Sequence, residues 1–569
     1  MGSVYEPLPE TSHIRLLQVQ VDQSSGDLVC DFKIVRLDDA KPDPFTAISY
    51  TWGQPAPPAS SIRLSDGRVL PLSQTLTDLF DALRRRRSHF AVWIDSLCIN
   101  QHDAKEKASQ VSMMGQIYSS AQEVLVWLDA STPETRRAFH FMGSSRSSTA
   151  EDAAEPDESL SAGLKLVLSI LARPWFRRVW VIQEVTLNSG VSMVCGDDLV
   201  GFATFQDYVF SIWKFLDDWH DYDDDDPRIQ GLWSATRLIN LRREFLRQGF
   251  VRYEILLQAA FYCEATDQRD AVFAFRGIGE QDRPVPPPDY TVPIGQEPHY
   301  SEAVQEVYRK TAVALLCHGP SLDLLALGGI ERPRSPGLPT WAPDLRYLAF
   351  IEPFVPCDIA EWNAGGPLGI SPELISPGRL KIQVCPIGTI DEACPVFDAY
   401  SVADQKEAME RIFRMKSTLP GSTQQDCLGQ LAMDLLFGLD IDDLPAGPVY
   451  HEYFTEWLQW LRASSSQDDL AKISHNKYHR TISMRVDGWK AFTTLRGDFC
   501  IGPACSEVGD MVCTVPGCRL PMIIRSAPGE SGVSGTFEQS IIVSWCYVRG
   551  LMDHKAAKSQ RMMMAVTLQ

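Results

Sequence analysis

The sequence lacks long apolar runs and an excess of positive charge. No stretch of its 569 residues approaches the ~20 consecutive apolar residues that span a bilayer, and no N-terminal segment is typical of a signal peptide. The 53 lysines and arginines are outnumbered by 73 aspartates and glutamates, which gives a net charge of −20. An acidic surface disfavours non-specific binding to nucleic acids and anionic membranes. We therefore expect a cytoplasmic protein with no membrane span and no nucleic-acid partner.

Several familiar cofactor and metal motifs are also missing. The sequence contains no Walker loop, no G-x-G-x-x-G and no H-E-x-x-H. Its 14 cysteines are scattered, which indicates reduced thiols rather than a disulfide framework. Cys500, Cys505, Cys513 and Cys518 are spaced 5, 8 and 5 residues apart, wider than the C-x2–4-C pairs of zinc sites. We predict no metal site, and no cofactor is firmly implied.

The first 200 residues alternate between strand-like and helix-like patterns. Short β-branched and aromatic runs predict strands, and apolar residues at helical spacing predict helices between them. This alternation predicts an α/β domain with a mainly parallel sheet. The predicted strands are Ile14–Val21, Leu28–Val35, Phe45–Gly53, Val92–Ile94, Val124–Leu128 and Val191–Cys195, and the predicted helices are Leu76–Arg85, Ala104–Ala121, Leu160–Leu171 and Trp175–Val185.

After residue 200 the predicted secondary structure becomes mostly helical, and near the C-terminus it becomes mostly strand. We predict a domain at 1–200 with its core at about 45–195, a mostly helical middle region at 201–370, and a C-terminal region at 371–569. The last of these begins as a helical segment and ends, at about 478–555, in short strands and glycine turns typical of a small β-barrel or sandwich. Two polar stretches, Ser131–Pro156 and Asp217–Asp226, are predicted as a mobile surface insertion and a solvated acidic loop.

Polar residues follow the predicted strand Val92–Ile94, where ligands gather in open α/β sheets. Asp95 and Gln101 are candidates for orienting a substrate, although Asp95 could instead cap the next helix or fix a tight turn. Cys98 could be a nucleophile with His102 as its base, or it could be a packed thiol. The residues alone leave both alternatives open.

Trp180 and Glu184 are spaced four residues apart on a predicted helix and therefore share a face. One interpretation is a surface glutamate that pairs with Arg177 or Arg178. The other is a carboxylate beside an aromatic face, a combination that can hold a sugar and a stacked base.

Four blocks of the sequence carry a family resemblance. They are AISYTWG (Ala47–Gly53), VWIDSLCINQ (Val92–Gln101), QVSMMGQIYSSAQEVLVWLD (Gln110–Asp129) and RPWFRRVWVIQEV (Arg173–Val185). In content and order they resemble the fungal heterokaryon-incompatibility (HET) domain. Looser likenesses to segments that follow this domain occur at Thr266–Gly277, at Pro339–Leu345 and in the C-terminal run from Gly509-Asp510 to Tyr547–Asp553. The resemblance implies a role in nonself recognition and programmed cell death.

HET domains in turn resemble TIR domains, which implies a flavodoxin-like fold. Plant TIR domains carry a W-C-L-x-E motif whose glutamate is needed to cleave NAD, and Trp180 and Glu184 match its two ends. The resemblance implies an NAD(P) glycohydrolase that takes NAD(P) as its substrate. The alternative is a non-enzymatic signalling or scaffold module that acts by self-association or by binding another fungal signalling protein. In the enzyme hypothesis Glu184 and Asp95 are catalytic, and Tyr50, Trp52, Gly53, Cys98, Gln101 and Trp180 bind the substrate.

Overall fold

A computed structural model describes most of the chain. Among the described residues, no helix combines the length and the apolar sequence that a membrane span requires. Three predictions fall wholly or partly outside the described residues. They concern Gly53 as a substrate-binding residue, residues 145–156 of the surface insertion and residues 217–225 of the acidic loop. The described residues are 5–22, 28–38, 43–52, 60–144, 158–216, 226–293, 302–346, 362–417, 424–441, 443–464, 466–527, 538–552 and 563–569.

The strands of the described residues belong to two sheets, one at each end of the chain. The first sheet contains β1 (His13–Val21), β2 (Leu28–Arg36), β3 (Thr46–Tyr50), β4 (Ser60–Leu64), β5 (Val69–Leu72), β6 (His89–Trp93), β7 (Glu123–Asp129), β8 (Val191–Cys195) and β9 (Asp198–Gly201). The second contains β10 (Glu373–Ser376), β11 (Arg379–Ala393), β12 (Trp489–Thr494), β13 (Phe499–Pro503), β14 (Met511–Thr514), β15 (Met522–Ser526), β16 (Gln539–Trp545), β17 (Tyr547–Val548) and β18 (Met564–Leu568).

Helices connect the strands of the first sheet and fill the middle of the chain. In the part of the chain that the structure describes, three further segments form 3-10 turns: Pro174–Arg177, Asp323–Leu327 and Gln467–Lys472. The α-helices are α1 (Gln74–Arg86), α2 (Asp95–Cys98), α3 (Ala104–Ser112), α4 (Met114–Ser120), α5 (Pro133–Ser144), α6 (Glu158–Leu171), α7 (Trp180–Thr186), α8 (Phe202–Leu216), α9 (Pro227–Gln248), α10 (Tyr253–Ala260), α11 (Asp270–Phe273), α12 (Glu302–His318), α13 (Val402–Ser417), α14 (Gln424–Asp434), α15 (Val449–Ala463) and α16 (Lys477–Val486).

The N-terminal sheet is mixed rather than mainly parallel. Its strand order is β5-β4-β2-β1-β6-β3-β7-β8-β9. The central strands β6, β3, β7 and β8 are parallel to their neighbours within that group, as the sequence predicts. The flanks differ because the hairpin β1–β2 joins β6 antiparallel and β9 turns back on β8 antiparallel.

The central strands form the core of this sheet because they are mostly apolar, and the buried polar residues Thr46 and Ser49 of β3 are hydrogen-bonded. Every residue of β3 (TAISY) is buried, and β7 (EVLVWLD) exposes only its last residue. Strands that are covered on both faces need such continuous apolar sequence. Helix α1 covers one face with Leu79, Phe80 and Leu83, and Ser73 caps its N-terminus by accepting a hydrogen bond from the Leu76 amide.

Three helical segments differ from the sequence prediction. The helix predicted over Ala104–Ala121 is divided at Met113 into α3 and α4. The helix predicted over Trp175–Val185 is instead a 3-10 turn followed by α7. The two parts are separate because the Val179 amide between them donates a hydrogen bond to the Glu264 carbonyl. Residues 133–144 of the predicted insertion form α5, whose apolar residues are buried despite its polar surroundings in sequence.

Among the described residues, the chain divides into two compact units. The first comprises Met1–Asp282, Pro286–Pro298 and Arg346–Phe350, and the second comprises Arg283–Val285, His299–Leu345 and Ile351–Gln569. The three-part division proposed from the sequence stays a prediction.

The C-terminal sheet is organised around the long strand β11. Its successive parts pair with β18, β14 and β12. The pairings β14–β15, β15–β16, β16–β18, β18–β11 and β11–β14 close a ring, so the predicted β-rich region contains a small barrel. The predicted start of this region near residue 478 is wrong, because Tyr478, Ile482 and Val486 lie at helical spacing and are buried in α16.

Candidate functional site

The candidate site lies where the neighbouring parallel strands β3 and β6 end. Trp52 lies two residues after the end of β3, and Asp95 lies two residues after the end of β6. The Trp52 indole N–H donates to both carboxylate oxygens of Asp95, at 3.0 and 3.1 Å. Trp52 is 45% exposed, whereas Asp95 is partly buried. The structure therefore brings these two predicted site residues into direct contact and presents an aromatic ring to solvent.

Asp95 also organises the turn that follows β6. Its Oδ1 accepts a hydrogen bond from the Ser96 amide at 2.7 Å, and the Gln101 side chain donates to the Asp95 carbonyl at 3.0 Å. Burial raises the pKa of Asp95, and the positive charge of Arg178 opposes that shift. The turn-fixing role and the contact with Trp52 therefore coexist in one side chain.

Tyr50 ends β3 and is nearly fully buried. Its hydroxyl is hydrogen-bonded to the Ser96 hydroxyl at 2.5 Å, and its carbonyl accepts a hydrogen bond from the Arg178 guanidinium. Burial, and next the negative charge of Asp95, raise the Tyr50 pKa well above its usual value. Arg178 thus connects the turn before α7 to the end of β3.

Glu184 is 1% exposed, so the surface-glutamate interpretation is wrong. Its carboxylate accepts a hydrogen bond from the Ser49 hydroxyl, whose oxygen accepts a second one from the Trp175 indole at 2.8 Å. Burial raises the pKa of Glu184 to about 7, although Arg178 and the Ser49 hydrogen bond act in the opposite direction. Arg177 instead pairs with Glu264 at 2.8 Å.

Trp180 is bonded to a residue that the sequence did not single out. Its indole N–H donates to Oδ2 of Asp270 at 3.0 Å, and the Tyr290 hydroxyl donates to Oδ1 at 2.6 Å. The Lys107 ammonium lies 4.4 Å from the centroid of the Tyr290 ring. Burial, together with the negative charge of Asp267, raises the pKa of Asp270 to about 6.

Cys98 has the properties of a packed thiol. It is fully buried, and its sulfur accepts a hydrogen bond from the Ile94 amide at 3.4 Å. Burial raises its pKa to about 12, whereas a nucleophilic cysteine needs a lowered pKa. His102, its suggested base, is exposed. These observations favour the packed-thiol alternative.

Several residues of the site were missed by sequence reasoning. Trp175 lies in the RPWFRRVWVIQEV block, Ser49 lies in AISYTWG and Asp270 lies in TDQRDAVFAFRG. Arg178 was considered only as a surface partner of Glu184, and its hydrogen bond to the Tyr50 carbonyl was not predicted. The blocks were visible in the sequence, but contacts between residues 90 or more positions apart were not.

The chemistry of the cluster centres on three carboxyl groups with raised pKa values, those of Asp95, Glu184 and Asp270. Glu184 and Asp270, with pKa values of about 7 and about 6, can give or take protons near neutral pH. Carboxyl groups with raised pKa values concentrate at functional sites. The exposed indole of Trp52 can stack on a flat ring. Within the described residues, no group of three or more histidines, cysteines, aspartates or glutamates is suited to a metal ion.

Comparison with known proteins identifies the part of the chain that contains Asp95 and Glu184, whereas Asp270 lies outside the matched range. Residues 45–184 match the family model described as "Heterokaryon incompatibility protein (HET)". The chain is 23% identical, over an alignment 665 positions long, to heterokaryon incompatibility protein 6, OR allele, of Neurospora crassa. The alignment covers 96% of this chain and 95% of that protein. No solved structure matches the chain. The matched range begins just before β3 and ends at Glu184, and residues 45–184 of this chain therefore form a HET domain.

Proposed function

We propose that this protein acts in nonself recognition and programmed cell-death signalling, and that its N-terminal domain hydrolyses NAD(P). The first part is supported by the HET domain and by the similarity to a heterokaryon incompatibility protein along nearly the whole chain. The second part is a statement about chemistry, and it depends on the site at the ends of β3 and β6.

The topology of the parallel strands supports a TIR-like interpretation. Numbered along the chain, β3, β6, β7 and β8 lie in the order 2-1-3-4, which matches the start of the flavodoxin-like order 2-1-3-4-5. In such sheets ligands bind beyond the carboxyl ends of the strands, where the strand order reverses. Here the order reverses between β3 and β7, so β3, the strand that Trp52 follows, forms one side of this point.

The proposed reaction breaks the bond between nicotinamide and ribose. The electron pair of that bond moves to the nicotinamide ring nitrogen, and positive charge develops on the ribose ring, as in glycosidic cleavage. Water then adds to the ribose carbon and gives up its proton, leaving ADP-ribose (or its 2′-phosphate) and nicotinamide. Asp95 would stabilise the positive charge, and Trp52 would stack on a base.

The contact between Trp52 and Asp95 carries this proposal, because it combines an exposed aromatic face and a carboxylate. Glu184 lies further inside and reaches the ribose hydroxyls only after a local opening, since it is 1% exposed. Activity in the resting protein is therefore expected to be low and to rise on assembly or partner binding.

A second candidate function is a signalling scaffold without chemistry. The observation that favours it is the burial of Glu184, whose hydrogen bond with Ser49 is complete without a substrate. If Glu184→Gln in the full chain still kills fungal cells on overexpression, while variants that prevent self-association do not, the scaffold function holds and the hydrolase function fails.

The enzymatic proposal is tested on the purified full chain with NAD, by measuring nicotinamide release. Asp95→Asn is expected to lower the rate on the order of 100-fold, because it removes a charge that acts on the transition state. The matched control is Asp129→Asn, which alters an exposed carboxylate at the end of the adjacent strand β7. Equal rates for Asp95→Asn and the unmodified protein would exclude the catalytic role of Asp95.

A further inference from the structure

Helix α7 is held from beyond the matched range of residues 45–184. Immediately before the helix, the Val179 amide donates to the Glu264 carbonyl at 3.1 Å, and the Glu264 amide donates to the Arg177 carbonyl at 2.6 Å. The side chains of Arg177 and Glu264 add an ion pair. The entry to the helix is thus fixed by residue 264, which lies 80 positions after Glu184 in the sequence.

The middle of α7 has a second attachment to the same segment. The Gly277 amide donates to the side-chain oxygen of Gln183 at 2.8 Å, and Gln183 is 2% exposed. A Cβ at Gly277 would lie 2.4 Å from that oxygen and 3.0 Å from the Gly115 Cα, so the close approach requires glycine. A buried amide side chain with such a partner fixes the rotation of the helix.

Asp270 makes the third attachment, and this one reaches a residue of the candidate site. Its two carboxylate oxygens accept hydrogen bonds from Trp180 and Tyr290. Removing the carboxylate would leave a partly buried indole N–H and a buried phenol without their acceptor, and an unsatisfied buried donor is destabilising. Glu184 lies one turn further along the same helix, so a displaced Trp180 also displaces Glu184.

We propose that Asp270 is a positioning residue of the candidate site, and that Glu264–Gly277 belongs to the functional unit rather than to a separate regulatory region. The effect of Asp270 on catalysis rests on the proposed function. The structural part does not: a carboxylate from a segment outside the matched range holds Trp180 and, with it, α7.

The first test is hydrogen exchange of the full chain, read for the amides of α7. Asp270→Ala is expected to speed their exchange about tenfold, because two donors lose their partner. The matched control is Glu264→Gln, which alters a carboxylate of the same segment whose surface ion pair does not involve Trp180. It should leave the exchange of α7 within about twofold. Unchanged exchange in Asp270→Ala would overturn the inference.

A milder variant keeps the test meaningful if Asp270→Ala does not fold. Tyr290→Phe retains the ring that Lys107 lies over but removes one hydrogen bond to Asp270. That bond lowers the pKa of Asp270, as do the Trp180 bond and the Lys107 charge, whereas Asp267 raises it. Tyr290→Phe should therefore move the acidic limb of the pH–rate profile of nicotinamide release to higher pH. An unmoved limb in an active variant would contradict the positioning role.

The two proposals fail in different ways. If α7 exchanges faster in Asp270→Ala while even the unmodified full chain releases no nicotinamide, the positioning role stands and the hydrolase function falls. If nicotinamide is released at equal rates by the unmodified protein and Asp270→Ala, and exchange is unchanged, the hydrolase function stands and the positioning role falls.

Discussion

At the scale of single residues, the site is defined by how deeply each carboxyl group is buried. Asp95 is partly buried beside an exposed indole, whereas Glu184 is enclosed and bonded to Ser49. The spacing of Trp180 and Glu184 was evident in the sequence. Their partners Asp270 and Ser49 were not, because one sequence gives no measure of contacts between residues 90 and 135 positions apart.

The burial of Glu184 predicts a pH-dependent stability. Its folded-state pKa of about 7 exceeds its unfolded value of 4.5, so the folded state binds the proton more tightly. The resulting stabilisation is full below the unfolded pKa and is lost as the pH rises through the folded pKa. Glu184→Gln, which keeps an acceptor for Ser49, should therefore gain about 2–3 kcal/mol relative to the unmodified protein between pH 4.5 and pH 8.

Urea unfolding of the N-terminal unit in the full chain, repeated across this pH range, measures the effect. The control is Glu134→Gln, at an exposed position in the first turn of α5. If the difference in unfolding free energy between Glu184→Gln and the unmodified protein does not vary with pH, ionising Glu184 costs the folded state little free energy.

At the scale of elements, α7 is short and depends on its neighbours. It spans Trp180–Thr186, and a helix of this length is not stable by itself. Its boundaries could not be predicted from periodicity, because the turn before it is fixed by the backbone of Glu264. The strand β7 was predicted to within one residue at each end because its apolar run is continuous and clearly bounded, whereas the strand predicted at Phe45–Gly53 extends beyond Tyr50, the last residue of β3.

Arg242 of α9 provides a test of how α7 ends. This buried arginine donates to the carbonyl oxygens of Val185 and Asn188 at the C-terminal end of the helix. Arg242→Leu should destabilise the N-terminal unit by about 2–4 kcal/mol, since buried carbonyls lose their donors. Arg243→Leu is the control, because that exposed neighbour lies over the Phe210 ring instead. Equal losses of unfolding free energy in the two variants would contradict the capping role.

At the scale of the whole molecule, the sheet of the HET domain includes strands that lie outside residues 45–184, the range that matches the family model. The hairpin β1–β2 extends the sheet before residue 45, and β8, β9 and the segment Glu264–Gly277 follow residue 184. The parallel core was predictable from alternating strand and helix patterns. The antiparallel pairings of β1 with β6 and of β9 with β8 were not, because strand direction is not encoded in the composition of a strand.

This arrangement predicts which fragments fold. Residues 45–184 alone lose the β1 partner of β6 and the β8 partner of β7, together with the hydrogen bonds of Asp270 and Arg242 to α7 and the residues after it. We expect that fragment to be largely unfolded by circular dichroism and a fragment of residues 5–298 to melt cooperatively. A cooperative transition for residues 45–184 would show that the flanking elements are dispensable.

We propose that Glu184, the buried carboxylate of the HET domain, takes part in hydrolysis of NAD(P). The most direct test of this claim is nicotinamide release from NAD by the purified full chain, compared between the unmodified protein and Glu184→Gln over a range of protein concentrations. We predict a rate per molecule that rises as the protein assembles and that falls on the order of 100-fold in Glu184→Gln. Equal release by the two proteins, or none by either when both are folded and assembled, would contradict the claim.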